Sequence, residues 1–155
     1  MEGQRQVGFS VEHAQEGDLV AIRSLLEGAR LPVNDVGRAG QLFLVARSAD
    51  GVIGCVGLEP YSGAGLLRSL VLTPAHRGQG MSLALYERAA TEARSLGVRE
   101  LYLLTTTAEA LFSRWGFRRT VREQVPAAVR ESPEFASLCP ATAACMVLTL
   151  APEVT

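Results

Sequence analysis

Leu67-Arg68-Ser69-Leu70-Val71-Leu72-Thr73-Pro74-Ala75-His76-Arg77-Gly78-Gln79-Gly80-Met81-Ser82 joins two kinds of local order across one proline. The run Leu70-Val71-Leu72 has strand composition, and Thr73-Pro74 ends it because proline has no N–H to continue a ladder. Beyond it, Arg77-Gly78-Gln79-Gly80 leads straight into a segment with helical spacing, so several backbone N–H groups point out of the turn at the positive end of a helix. That geometry holds an anion, a phosphate above all. Two familiar phosphate motifs are excluded. The chain has no lysine, so it has no Gly-Lys-Ser/Thr loop, and no third glycine completes a Gly-x-Gly-x-x-Gly dinucleotide fingerprint.

Upstream of this stretch, Val7 to Val11 reads as a first strand and Gly17-Asp18 as a helix start with Asp18 at the N-cap. Leu19, Ile22, Leu25, Leu26 and Ala29 recur at helical spacing up to Leu31-Pro32. Gln41 to Arg47 and Val52 to Leu58 read as strands joined by an Asp50-Gly51 hairpin, and Ser62-Gly63-Ala64-Gly65 turns the chain into the strand that carries the opening stretch. Three consecutive strands with short turns form an antiparallel meander.

Downstream, Met81, Leu85, Ala89, Ala93 and Leu96 make one apolar stripe, and Gly97 stands where a left-handed C-cap belongs. Glu100 to Leu104 is the next strand, so this strand-helix-strand unit implies a parallel, right-handed crossover. Thr106-Thr107-Ala108-Glu109 reads as a capping box opening a short helix that Gly116-Phe117 closes. Arg119 to Glu123 and Ala144 to Leu150 complete the strands, with short helix and loop around Pro126, Pro133 and Pro140 between them. The fold class is α/β with a mixed sheet, and the 155 residues suit one domain.

A net charge of −1 gives no bulk attraction to nucleic acid or to anionic membrane, and no apolar run approaches spanning length. The N-terminus Met1-Glu2-Gly3-Gln4-Arg5 lacks an apolar signal region, so the expected compartment is the cytoplasm. Cys55, Cys139 and Cys145 are an odd count without Cys-x-x-Cys or Cys/His spacing, which points to free thiols and to no metal site.

The run Arg77-Gly78-Gln79-Gly80-Met81-Ser82 resembles the pyrophosphate loop of the GNAT N-acetyltransferase family, Arg/Gln-x-x-Gly-x-Gly/Ala, with Ser82 in place of the last small residue. The element order β-α-β-β-β-loop-α-β-α-β-β from about residue 7 to 150 is similar to that family's too. The resemblance implies a mostly antiparallel sheet, flanked by helices, in which parallel strands 4 and 5 splay apart and acetyl-CoA lies in the gap. The pantetheine arm would pair with Val71 and Leu72, and the pyrophosphate would sit on the N–H groups from Gln79 to Leu83, beside Arg77, Gly78, Gly80, Met81 and Ser82. Separating strands leave unpaired N–H and C=O groups that an amide-bearing arm can satisfy.

One departure concerns Phe112, also an expected cofactor contact. Many members of the family carry at this position a tyrosine that protonates the departing thiolate, and phenylalanine cannot do so. The run Leu103-Leu104-Thr105-Thr106-Thr107 through Phe112 to Gly116-Phe117 resembles the acetyltransferase domain of N-acetylglutamate synthases, which share that phenylalanine. Leu67-Arg68-Ser69-Leu70-Val71, the Thr-Thr-Thr-Ala-Glu run and Phe135-Ala136-Ser137-Leu138-Cys139-Pro140 resemble the small acetyltransferases of bacterial arsenic-resistance operons. The resemblance implies a small amine as substrate, an amino acid or an arsenic-bearing analogue of glutamate, in a monomer or homodimer.

Amine attack on a thioester needs an acceptor for the ammonium proton. Glu59, at the end of the third strand, is the candidate base. Arg68, with its neighbour Ser69, is the candidate contact for a substrate carboxylate. By resemblance, the backbone N–H of Leu70 or Val71 receives the oxyanion. Two rival readings stand beside this one. Cys55, Cys139 and Cys145 could converge as a metalloid-binding thiol site, and Phe112 with Ser82 could mark an acyl-CoA-binding module that has lost catalysis.

Overall fold

A computed structural model describes residues 8–138 and 141–150, the side chains of Ser137 and Leu138 excepted. Seven strands form one sheet in the order β1-β2-β3-β4-β5-β7-β6. They are β1 (Ser10–His13), β2 (Leu42–Ser48), β3 (Gly51–Tyr61), β4 (Ala64–Leu72), β5 (Glu100–Thr105), β6 (Arg118–Arg119) and β7 (Ala144–Thr149). The helices are α1 (Leu19–Gly28), α2 (Met81–Ser95), α3 (Glu109–Arg114) and α4 (Ala127–Arg130), with a π-helical turn at Glu134–Leu138. Contacts divide the chain into two compact units, Met1–Gly57 with Ser69–Ala89 and Leu58–Arg68 with Ala90–Thr155.

In the first unit β1 pairs antiparallel with β2, Ser10 opposite Arg47 and His13 opposite Leu44. Asp50 precedes Gly51, whose φ of 94° is the left-handed turn conformation that the hairpin reading requires. Ile22 and Leu26 of α1 pack with Val36, Phe43, Val45, Cys55 and Val71 in one apolar cluster. Asp18 occupies the N-cap of α1 but makes no side-chain cap bond. Its carboxylate instead accepts from the Gln15 N–H at 2.9 Å and from Arg47 at 2.9 Å, and Arg47 first, then Gln15, holds it below the usual carboxylate range. The first strand starts at Ser10, and Val7 of the expected strand lies outside the described residues.

Gly54 sits on β3 beside the strand that carries the opening motif. A Cβ there would meet the Leu72 side chain at less than contact distance and the Val71 carbonyl oxygen at 3.1 Å. Gly54→Ala is therefore expected to cost about 1–3 kcal/mol by overpacking, read as a lower denaturation midpoint at unchanged m.

In the second unit β4 and β5 are parallel, paired from Ala64 with Glu100 to Leu66 with Tyr102, and β7 runs antiparallel to β5 over its whole length. Ala64, Leu66, Tyr102, Val125, Val129, Phe135, Cys145 and Val147 form the core of this unit. The Ala93 carbonyl accepts from the Val98 N–H at 2.9 Å around Gly97 at φ 84°, the Schellman end that the sequence predicts for α2. Leu96 departs from its stripe. It is 52% exposed, because the chain has left the helix before reaching it.

Two further expectations are corrected. The N-cap of α3 is Ala108 and no side chain caps it; Thr105 Oγ1 accepts from the Ala108 N–H at 2.9 Å, so the hydroxyl of the preceding strand end takes the place of the capping box. The sixth strand is only Arg118–Arg119, and Arg122–Gln124 turns as a 3₁₀ helix, a local bond pattern that suits the polar Arg122-Glu123-Gln124 run better than a ladder. The Tyr102 hydroxyl donates to Glu100 at 3.0 Å, and burial, then that carboxylate, push the phenol up to about 12. An unfolded tyrosine ionises near pH 10, so this group's contribution to stability is complete below about pH 10 and is lost as pH rises from there. Spectrophotometric titration should show one phenolate appearing late, missing from Tyr102→Phe.

Candidate active site

In the first unit β4 continues through Leu70, Val71 and Leu72, and the Thr73 N–H still donates to the Ile53 carbonyl at 2.9 Å before Pro74–His76 coils as a 3₁₀ turn. Arg77, Gly78, Gln79 and Gly80 are exposed. Gly78 and Gly80 have φ of 80° and 83°, and a Cβ on either would meet nothing within 4 Å. Their glycine character thus answers a backbone need and leaves the space over the turn open to a ligand. The first helical bond of α2 runs from the Ala84 N–H to the Gly80 carbonyl at 3.1 Å, so the N–H groups of Met81, Ser82 and Leu83 precede it and lack helical acceptors. No carboxylate stands in the first turn of α2. Open glycines, unbonded first-turn N–H groups and a first turn without carboxylates leave this turn able to receive an anion.

Ser69 has a φ of 60° in the interior of β4. A non-glycine residue in that region kinks the strand as a bulge does, and such strain persists where the surroundings hold it. The Ser69 carbonyl accepts from the buried Cys55 thiol at 3.3 Å.

The second unit places Glu59 and Arg68 against each other. Arg68 Nη1 donates to Glu59 Oε2 at 3.0 Å, and Tyr61 donates its hydroxyl to Glu59 Oε1 at 2.6 Å. A second carboxylate, Glu134 Oε1, lies 3.5 Å from Arg68 Nε. Glu59, Arg68 and Glu134 are 1%, 3% and 4% exposed. Glu59 and Arg68, expected in separate tasks, are joined in one buried ion pair. Tyr61 and Glu134 were not singled out. Tyr61 was within reach of the strand period, two residues from Glu59, whereas Glu134 carries no local signal.

Phe112 in α3 is buried, with its ring edge-on to Trp115 and Phe117 at 5.5 Å each. Cys55 and Cys145 are buried thiols outside any disulfide, each within the apolar cluster of its own unit, and burial pushes the Cys145 thiol up. Cys139 lies outside the described residues. Among the described residues no group of three metal-ligating side chains occurs, and no helix is long and apolar enough to cross a membrane.

The model of the acetyltransferase (GNAT) domain matches residues 39–119, which take in the glycine turn and the strands on both sides of it. The chain belongs to the GNAT acetyltransferase family. The family's co-substrate is acetyl-CoA. An amino-acid acetyltransferase of Azotobacter vinelandii is 39% identical over 92 residues, covering 57% of this chain and 21% of that protein. The chain therefore spans about a fifth of the length of the curated relatives it matches. Among solved structures, Rv2747 from Mycobacterium tuberculosis, in complex with CoA and a second ligand, is 27% identical with a TM-score of 0.77, covering 92% of this chain and 99% of that one. N-acetylglutamate synthase from Neisseria gonorrhoeae, complexed with coenzyme A and L-arginine, shares the fold at a TM-score of 0.76 and 20% identity, covering 92% of this chain and 33% of that one.

Proposed function

We propose that this GNAT chain, as one domain over residues 1–155, transfers the acetyl group of acetyl-CoA to the α-amine of a small amino acid or amino-acid analogue, by direct attack in a ternary complex. The observation that carries the reading is the exposed turn with left-handed Gly78 and Gly80 opening α2 ahead of a first turn without carboxylates. The amino-acid acetyltransferases that match half of the chain support the acceptor class. The Phe135–Pro140 resemblance keeps an arsenic-bearing glutamate analogue among the candidates.

Acetyl-CoA supplies an acyl group activated as a thioester. The N–H groups from Gln79 to Leu83 and the Arg77 guanidinium bind the diphosphate, and Val71 and Leu72 pair with the amide-bearing arm. The Leu70 N–H, next to the kink at Ser69, receives the charge that develops on the carbonyl oxygen. Arg68 and Ser69 take the acceptor's carboxylate, and Glu59, directly or through water, takes the ammonium proton so that the neutral nitrogen can attack. Both Glu59 oxygens are hydrogen-bonded, Oε1 by the Tyr61 hydroxyl and Oε2 by Arg68, which fixes the carboxylate's orientation. Phe112, packed among rings, holds no proton to give, so the thiolate leaves with its charge borne by solvent or by another residue.

Release of CoA thiol across a panel of amino acids, with glutamate, glutamine and their phosphorus and arsenic analogues included, tests the reading. Turnover on an amino acid that falls at least about 100-fold in Glu59→Gln supports it, a loss of the size reported for general acid–base residues. Tight acetyl-CoA binding without turnover on any amine would make the chain the silent binding module that Phe112 otherwise suggests.

A further inference from the structure

The residues of the glycine turn, Arg77 to Gly80, are all exposed, so what holds the turn in one shape is its two ends. Met81 closes the far end, 2% exposed at the first position of α2. His76 closes the near end, and from Pro74 to Gly80 it is the one residue that is not exposed. Its backbone N–H donates to the Thr73 carbonyl at 3.0 Å, and its Nδ1 shares a hydrogen bond of 2.7 Å with the Thr73 hydroxyl. Thr73 is itself tied into the sheet, since its N–H reaches the Ile53 carbonyl of β3 at 2.9 Å. On the other edge of the ring, Asp50 Oδ2 of the β2–β3 hairpin lies 3.7 Å from Nε2. With the proton of a neutral imidazole on Nε2, toward Asp50, Nδ1 accepts from the Thr73 hydroxyl. The Asp50 side chain is 76% exposed, so solvent screens its contact and the Thr73 bond is the stronger hold. Left-handed Gly78 and Gly80 give the turn its shape and also the freedom to lose it, because glycine visits many backbone states at little cost.

We propose that His76 is a positioning residue for the co-substrate: held by the Thr73 hydroxyl, its imidazole anchors the near end of the glycine turn, so that the N–H groups beyond it stand arrayed before the diphosphate arrives. Order present before binding is not drawn from the binding energy, so it appears as affinity. The inference rests on the reading that this turn receives the diphosphate of acetyl-CoA. A His76 that served stability alone would lower the melting temperature and leave CoA affinity unchanged in the folded protein.

The test is the dissociation constant of CoA, measured by calorimetry on the full chain, for His76→Ala, His76→Asn, Thr73→Val, the double variant His76→Ala with Thr73→Val, and Gly80→Asp. His76→Ala should raise it about tenfold, and Thr73→Val, which keeps the branched shape and removes the hydroxyl, about fivefold, losses the size of one hydrogen bond. The double variant should stay at about tenfold rather than reach the product of the two, since both act through one contact. Asparagine carries an amide oxygen at the bond count of Nδ1, so His76→Asn should bind within about twofold of the wild type. The acceptor KM at saturating acetyl-CoA should not move in the His76 and Thr73 variants. Thr73→Val carries the test alone should His76→Ala not fold. Gly80→Asp separates the two readings, because it sets a carboxylate among the N–H groups themselves. Weakened CoA binding in Gly80→Asp, with none in His76→Ala and Thr73→Val, would overturn the anchor and leave the diphosphate site standing. Multiplied losses in the double variant, or no rescue by His76→Asn, would overturn the anchor too. CoA affinity unchanged in Gly80→Asp would overturn the diphosphate reading and this inference with it.

Discussion

Arg68→Ala is expected to lower the melting temperature by roughly 10 °C and to abolish measurable acceptor saturation. The first effect follows from burial. Arg68 faces Glu59 at 3.0 Å and Glu134 at 3.5 Å with its side chain fully enclosed, so truncation leaves two buried carboxylates facing an empty site. Removing one partner of a buried pair costs about 3–5 kcal/mol, and a chain of this size loses roughly 2–4 °C per kcal/mol. The second effect follows from the contact with the acceptor proposed for Arg68. The two separate in a triple variant, Arg68→Met with Glu59→Gln and Glu134→Gln, which buries no charge and should recover most of the melting temperature while turnover stays absent. A melting temperature within about 2 °C of the wild type for Arg68→Ala would show that the cluster is not the anchor described.

Gly80→Asp is expected to raise the acetyl-CoA KM about 100-fold or more, with the acceptor KM little changed. Gly80 has a φ of 83°, which aspartate and asparagine tolerate better than other side chains, and its added Cβ has open space around it. The fold should therefore survive, and the loss should come from a carboxylate set among the N–H groups proposed to receive the diphosphate. Like charges so placed cost several kcal/mol. Gly80→Asn, equal in shape and neutral, isolates that charge and should cost about tenfold or less. Equal losses in the two variants would assign the effect to the backbone and leave the anion site without support.

Much of this was legible in the residues because it is local. Pro74 ends β4 after Leu72, Gly51 turns the β2–β3 hairpin, Gly97 closes α2, and two glycines open its N-terminus, each through a conformation or a missing donor that few other residues supply. Parallel β4 and β5 followed from the helix between them. What escaped depends on competition or on distance. The hydroxyl of Thr105 reached the Ala108 N–H and displaced the capping box, and Leu96 fell one residue past the helix that would have buried it.

The site divides the same way. In an ordinary two-residue hairpin at Ser62–Gly63, Glu59 stands opposite Leu66 and diagonal to Arg68 on one face, so their pairing was present in the register of β3 and β4. Glu134 was not, because its approach to Arg68 depends on a π-helical turn and on the Arg122–Phe135 clasp, which no local periodicity encodes.

The most direct measurement is the position of the acetyl group on the acceptor after turnover, read by NMR or tandem mass spectrometry on the amino acid that releases most thiol. The account predicts one acetyl group on the α-nitrogen for each thiol released, none on a side-chain nitrogen and none on the protein. Thiol release with the acceptor unmodified, or acetylation confined to a side-chain nitrogen, would contradict it.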